Sequence, residues 1–412
     1  MTTTSTIKIM LLGSAATLAL MTQAQALEAE AFLDRVEAVY KHIGYTFEFG
    51  EGTVSGDSVT VNGVNVGMQG MEGMDFDTEI VFTGIREEAD GTYYVDSVTI
   101  PDVDTDFTPE EDGPTGHLTI ADIEATGLYL PAGDTLPGNA ALQLAESLST
   151  GRLEVTRDGE PFFSYDAAEA VSTFQPAQGP DLTDLTSRFA ITGMTADLSS
   201  AEEDDPNAAA VIEALGLTNI SGDITQSMSW SLGDGHLIID EFLFDFADVG
   251  ALDLTADMTG LTADLIGQFY AMQAQMALGT EMTEEQSQAQ AMQSLALMQG
   301  VNVVGATIRY DDASLAGKLL DYFAEQNGSD RATFVEGLKA SLPALVGQTG
   351  IPALTDLVVP PASEFLDDPQ SLEIRVAPPS PTSVLVLAAA AANPAGLITA
   401  LGLALEANTA NE

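Results

Sequence analysis

The segment GMQGMEGMD, Gly67 to Asp75, places Met68, Met71 and Met74 three residues apart among glycines. Thioether sulfur is a soft ligand suited to Cu(I). In an extended strand a spacing of three alternates faces, so these sulfurs converge only if the chain turns tightly, as glycine permits. No His or Cys stands beside them to strengthen the set. The plainer reading is a hairpin connection whose methionines pack on nearby apolar surface. Asp102, Asp104 and Asp106 repeat the spacing of the first EF-hand ligands. The sixth loop position is Phe107 instead of Gly and the twelfth is Gly113 instead of Glu, so that motif is excluded. An irregular Ca²⁺ site or a solvated acidic loop over Asp102–Asp112 remains.

Catalytic motifs are absent from the sequence. There is no cysteine, which excludes thiol nucleophiles and thiolate metal sites. The three histidines are His42, on a helical stretch, and His117 and His236, each opening a strand; they have no zinc spacing. No G-x-S-x-G elbow, phosphate-binding loop or strand-linked G-x-G-x-x-G occurs. A Ser-His-Asp constellation is defined by geometry and stays open. A hydrolase therefore ranks third, behind an apolar-ligand-binding protein and a metal-binding one.

The best-motivated chemistry is apolar. In HLIIDEFLFDF, strict alternation places Ile238, Phe242, Phe244 and Phe246 on one face and Leu237, Ile239 and Leu243 on the other. A strand apolar on both faces is expected to be covered on both. Met272 and Met276, at helical spacing after Gly260, supply adaptable side chains for such a cover. A groove between sheet and helices would seat a lipid; the competing reading is an ordinary two-layer core.

The elements that must position these residues follow from periodicity. Phe32, Val36, Val39, Tyr40 and Ile43 mark a helix over Glu28–Ile43, stopped by Gly44. Period-two runs follow, with Asn62-Gly63 as a turn or bulge. Asp90-Gly91, Asp158-Gly159 and Gly233-Asp234-Gly235 each precede or divide alternating runs, the strongest short-range hairpin signal. Helices are expected at Asn139–Leu148 and Pro206–Leu215, then at Leu261–Met276, Glu284–Gln299, Leu315–Phe323 and Asp330–Leu342. Proline-broken segments follow. From Ala377 to Leu405 the chain is uncharged and long enough to span a bilayer. Asn393-Pro394 interrupts it, no Lys or Arg follows Arg375, and the tail is acidic. We therefore read a strand, an Ala-rich link, a helix Pro394–Leu401 and a final strand, with no stable membrane span.

Twelve Lys and Arg oppose 63 Asp and Glu, a formal net charge of −51. Such a surface repels nucleic acid and anionic headgroups, so nucleic-acid binding is set aside. Residues 1–26 have the form of a secretory signal peptide, with Ala24-Gln25-Ala26 before the cleavage point. The expected location is periplasmic or secreted. Without disulfides, the core alone must stabilise the chain.

The segments GYTFEFGEGTVSGDSVTVNGVNV and SWSLGDGHLIIDEFLFDFADVGALDLTADMTGL, after a signal peptide and a short helix, resemble a family of secreted Gram-negative proteins of unknown function. Their hairpin style is also similar to AsmA-like and YdgA-like envelope proteins. The resemblance implies an elongated β-rich periplasmic protein linked to lipid handling, and it carries no catalytic residues. Those relatives often keep an amino-terminal membrane anchor, from which the cleavage site here departs. The expected fold is α+β: a long, mostly antiparallel β meander with interspersed helices, then a helix-rich region that returns to strands. The expected division is residues 1–26, 27–260 and 261–412. No cofactor is expected; the expected partners are a lipid or apolar small molecule, or an envelope protein.

Overall fold

The computed structural model describes residues 27–70, 73–108, 115–133, 136, 139–199, 206–277, 292, 294–390 and 394–410. The signal-peptide segment, Met71 and most of Glu284–Gln299 lie outside the described residues. The chain is α+β, as its patterning predicts. One 21-stranded sheet contains every described strand, and every pairing given by its register is antiparallel.

The strands run β1 (Tyr45–Phe49), β2 (Gly52–Ser55), β3 (Ser58–Met68), β4 (Met74–Thr83), β5 (Arg86–Glu87), β6 (Tyr93–Ile100) and β7 (Val103–Phe107). There follow β8 (Gly116–Ile120), β9 (Ile123–Leu130), β10 (Ser147–Thr150), β11 (Leu153–Arg157), β12 (Glu160–Tyr165), β13 (Ala167–Gln175) and β14 (Asp184–Asp197). The last are β15 (Asn219–Ser231), β16 (His236–Phe246), β17 (Gly250–Thr259), β18 (Asn302–Asp312), β19 (Ser371–Val376), β20 (Thr382–Ser383) and β21 (Ala404–Ala407).

The connectivity is a meander. β6–β7, β8–β9, β10–β11 and β12–β13 are four long strands, each interrupted once, and each pairs with the next. The fourth pairs with β14 along both of its parts. The interruptions lie side by side: the Gly151 N–H donates to Ala121 O, the Ala121 N–H to Arg152 O and the Asp166 N–H to Thr192 O. In β14 the same level carries a register shift between Ile191 and Met194. Gly193 there has φ +65°, and a Cβ on it would strike the Asp166 carboxylate, so glycine is required twice over. From β14 the meander continues through β15, β16, β17, β18 and β19 to β21.

Helix α1 (Ala29–Lys41) covers the amino-terminal end of the sheet. Its apolar stripe, Phe32, Leu33, Val36 and Val39, packs into a buried cluster with Val59, Val61, Phe82, Val95 and Leu130. Phe32 meets Phe82 and Tyr93 edge-on, with ring centroids 5.1 and 5.5 Å away. The hairpin signals are realised. Asp158 and Gly159 both have positive φ, joining Arg157 to its partner Glu160. Asn62-Gly63 is a bulge within β3 opposite β4.

The remaining helices are α2 (Pro206–Leu215), α3 (Ala263–Ala277), α4 (Leu315–Gln326), α5 (Arg331–Gly347), α6 (Pro352–Asp367), α7 (Val384–Ala390) and α8 (Pro394–Leu401). Four expectations are corrected. Asn139–Leu148 holds only a 3-10 turn at Ala140–Leu142, because Ser147–Thr150 is needed in the sheet between β9 and β13. Ser314, a residue type expected to cap α4, stands at its N-cap position without a side-chain cap bond: its hydroxyl donates to Asp248 O, and the Asp312 carboxylate takes the Ala316 N–H instead. The expected proline-broken region is helical. Pro343 lies inside α5 and Pro360 and Pro361 inside α6, where packing of α5 on α6 outweighs the lost N–H groups. The stretch VLVLAAA, expected as strand and link, is α7, and only Thr382–Ser383 before it is strand. Among the described residues no helix is long and apolar enough to cross a membrane.

Candidate functional site

The register resolves HLIIDEFLFDF differently from strict alternation. Met228 pairs with Ile239, and Ser227 with Glu241, so Asp240 is an extra residue. The same bulge separates Ile239↔Ala256 from Leu243↔Asp253 on the other side. A β-bulge of this kind resets which face later side chains occupy. Leu237, Ile239, Phe242, Phe244 and Phe246 therefore share one face. Ile238 does not join them; it lies opposite, with Leu243 and Asp245. The bulge sorts all three phenylalanines onto one face and leaves Ile238 and Leu243 among the carboxylates of Glu241 and Asp245 on the other.

That face is continuous. Ala125, Leu148, Ala170, Phe189, Gln226 and Phe242 are successive cross-strand partners from β9 to β16. Leu254 lies beside Phe242, given Leu243↔Asp253, and continues to Ile308, Ile374 and Leu405. Phe242 and Phe244 lie against each other with tilted rings, centroids 4.7 Å apart. Leu148 is 53% exposed, and the adjacent pair Ile308 and Ile374, several strands away, are 44% and 39% exposed, unusual for neighbouring large aliphatics.

Helices close the margins of this face. At the hairpin end, Leu185, Trp230, Leu232 and Phe174 form a second core with Leu261 and Ile266 at the start of α3. The Trp230 indole N–H donates to Leu261 O at 2.7 Å and pins that margin. At the carboxyl-terminal end, Phe365 of α6 meets Tyr310, ring centroids 6.5 Å apart. The Tyr310 hydroxyl bonds Val249 O at 2.8 Å and the Asp312 carboxylate at 2.7 Å. Burial, then the Asp312 carboxylate, push its pKa up, so it stays a neutral donor. α8 packs on α6, and its end is tied to the sheet by the Ala377 N–H to Leu401 O. Ile308 and Ile374 thus stay exposed on neighbouring strands, with α6 packed against β19 and β21.

The opposite face is ionic. Leu243, Asp253, Arg309, Glu373 and Glu406 are successive partners on it. Arg309 and Glu373 are buried as an ion pair at 3.2 Å. Arg309 also grips Asp311, Thr409 Oγ1 and Thr409 O, which fastens the carboxyl-terminal segment. Burial, followed by Glu241, raises the Asp253 carboxyl above its usual range, and its Oδ1 is buried without a hydrogen-bond partner.

The other sequence candidates fall in separate places. Met272 is on α3, its sulfur accepting from the Ser294 hydroxyl at 3.3 Å; the side chain of Met276 lies outside the described residues. Met68 ends β3 and Met74 begins β4. Val66 pairs with Met74, so Met68 and Met74 share a face of the hairpin. Both are exposed, not packed on apolar surface as expected. His42 follows α1, and His117 lies between Asp106 and Asp104 on the β7–β8 pair, at 2.8 and 3.4 Å. Among the described residues no group of three or more His, Asp or Glu could hold a metal ion.

Residues 243–408 match a family model described as an uncharacterized protein. The match covers less than half of the chain. It takes in the last four residues of β16, the strands from β17 to β21, and α3 to α8, the part that carries Ile308, Ile374 and α6. No curated protein matches the chain. Sequence reading passed over Tyr310, Ile308 and Ile374. Their signal is present: TIRYDD and SLEIRV alternate apolar and charged residues, which marks a strand with one apolar and one ionic face.

Proposed function

We propose that this is a non-catalytic protein of the periplasm or cell exterior that holds an acyl chain or another long apolar ligand against the apolar sheet face. The observation that carries the reading is the row Phe242, Leu254, Ile308, Ile374 and Leu405, with its two isoleucines exposed beside α6. Four strand spacings make that row roughly 19 Å long, enough for an extended chain and too long for a small ring compound. The net charge of −51 selects against anionic headgroups, so a zwitterionic or neutral lipid is the expected class.

The test is native mass spectrometry of gently purified protein, with binding of a pyrene-labelled phosphatidylcholine. A lipid-mass adduct lost on denaturation, and probe binding removed by Ile308→Asp with Ile374→Asp, are expected. Bare protein mass together with probe binding that the double variant leaves unchanged would sink the reading.

A second reading has one specific support: Met68 and Met74 are exposed on one side of the same hairpin. On this reading the hairpin binds Cu(I). Replacing Met68, Met71 and Met74 by Leu together would then abolish copper retention, and unchanged retention would dispose of it.

A further inference from the structure

On the ionic face, at the hairpin end of β13 to β16, lies a cleft of about 380 Å³. Two register rows build its floor. Thr173, Thr186 and Ser229 are successive partners in one, and Gln175, Asp184, Ser231 and His236 in the next. The rows present hydroxyl, amide, carboxylate and imidazole groups side by side, and no Lys or Arg is among the lining residues.

The hydrogen bonds set the direction in which these groups can act. The Ser231 hydroxyl donates to Asp184 Oδ1 at 2.5 Å, and the Thr183 hydroxyl donates to Asp184 Oδ2 at 2.6 Å. The single Ser231 proton is thereby committed, and its lone pairs remain as acceptors. His236 Nε2 lies 2.8 Å from Asp257 Oδ1. An ionised carboxylate only accepts, so Nε2 donates, and in the tautomer this bond selects Nδ1 is the acceptor. Ser231 and His236 are directly opposite across the β15–β16 pair, so two oriented acceptors stand roughly 5 Å apart at Cβ. Gln175 and the threonine hydroxyls add donors around them.

We propose that this cleft is a saccharide site, binding a neutral sugar through adjacent hydroxyl groups donated to Ser231 and His236. Two oriented acceptors at cross-strand spacing match a pair of neighbouring sugar hydroxyls. Ser231 and Thr183 hold the Asp184 carboxylate and His236 holds that of Asp257, so the acceptors that face the cleft with a fixed direction are Ser231 and His236. The same bonds argue against a hydrolytic serine. The Ser231 proton points to Asp184, not to the imidazole, so no Ser-to-His proton relay is assembled. This site lies on the face opposite the proposed lipid seat and does not depend on it.

The chain contains only three histidines, so ring-proton NMR of the intact protein reads the site directly. His236→Gln assigns the signal. Glucose, galactose and N-acetylglucosamine are titrated in turn to concentrations that saturate a site of roughly 10 mM affinity. At least one sugar is expected to move the His236 signal saturably while the His117 signal stays fixed. Ser231→Ala is expected to weaken that sugar at least tenfold, with an unchanged His117 signal reporting an intact sheet. Three results would overturn the proposal: no sugar moves His236; His117 moves equally; or Ser231→Ala leaves the affinity unchanged. A response to methylammonium but to none of the sugars would likewise overturn it.

Discussion

The bulge at Asp240 makes a sharp prediction, because it alone reconciles the order of residues in β16 with a single apolar face. Deleting Asp240 leaves Ile239, Glu241, Phe242, Leu243 and Phe244 in strict alternation, with Ile239, Phe242, Phe244 and Phe246 still on the apolar side. The exposed carboxylate of Asp240 pairs with nothing in either neighbouring ladder. The deletion should therefore change unfolding free energy by no more than about 1 kcal/mol, within the range of ordinary surface changes. Deleting Leu243 is the contrast. No single alternation then keeps all three phenylalanines on the apolar side while Glu241 and Asp245 stay off it. Either register exposes one or two phenylalanines and turns a carboxylate inward. Full burial of such a side chain is worth about 1.5–3 kcal/mol, and these are part-buried, so about half of that is lost for each. With the misplaced carboxylate the total loss should reach at least about 2 kcal/mol. Urea unfolding followed by Trp230 fluorescence gives both values. Equal losses in the two deletions, or collapse on removing Asp240, would refute the register argument.

Other perturbations test the remaining structure. Phe32→Ala removes a fully buried ring and two edge-on contacts, so it should cost about 3–5 kcal/mol in denaturant unfolding. Arg309→Met takes from the buried Glu373 one of its two guanidinium partners, Arg375 remaining at 2.6 Å, and should cost about 1–3 kcal/mol in denaturant unfolding. Asp253 has a raised folded pKa, so protonation favours the folded state and its unfavourable charge weakens as pH falls through that value. Asp253→Asn should then stabilise the protein at neutral pH, with the advantage disappearing in acid; a pH-independent gain in melting temperature would contradict this. Asp330 caps α5 through the Thr333 N–H, which holds its pKa below the usual range. That contribution is present above the unfolded pKa and lost as pH falls through the folded one, so Asp330→Ala should flatten the acid limb of the stability profile.

What the sequence made legible was local. Asp90-Gly91, Asp158-Gly159 and Gly233-Asp234-Gly235 announced hairpins because positive φ is tolerated by few residue types. The α1 stripe was readable because one helix meets one dense core. What escaped was set by partners elsewhere in the chain. Asp240 looks like any strand residue until Ser227 is seen opposite Glu241. Ser147–Thr150 reads as the end of a helix until β9 and β13 claim it. Pro360 and Pro361 break a helix by local rules, yet α6 holds them through packing. The Ser231–His236 pair was invisible as chemistry because the geometry that orients it comes from Asp184 and Asp257, on the flanking strands.

The meander also has a consequence for how the molecule is assembled. From β6 onward nearly every long strand pairs with its immediate predecessor, and the detours between β17 and β18 and between β18 and β19 carry helices. Contacts are therefore short in sequence for a sheet of this size, which favours fast formation. Once α1 and the first strands have formed their core, most later strands need only a short closure to join an edge already in place, and β15, β18 and β19 join it after a helix-bearing connection. The temporary edge is a template for wrong partners too, and the dense acidic charge along the chain discourages a second copy from taking it. Order of emergence and order in the sheet coincide, so the protein can be built from its first core outward by addition at one edge.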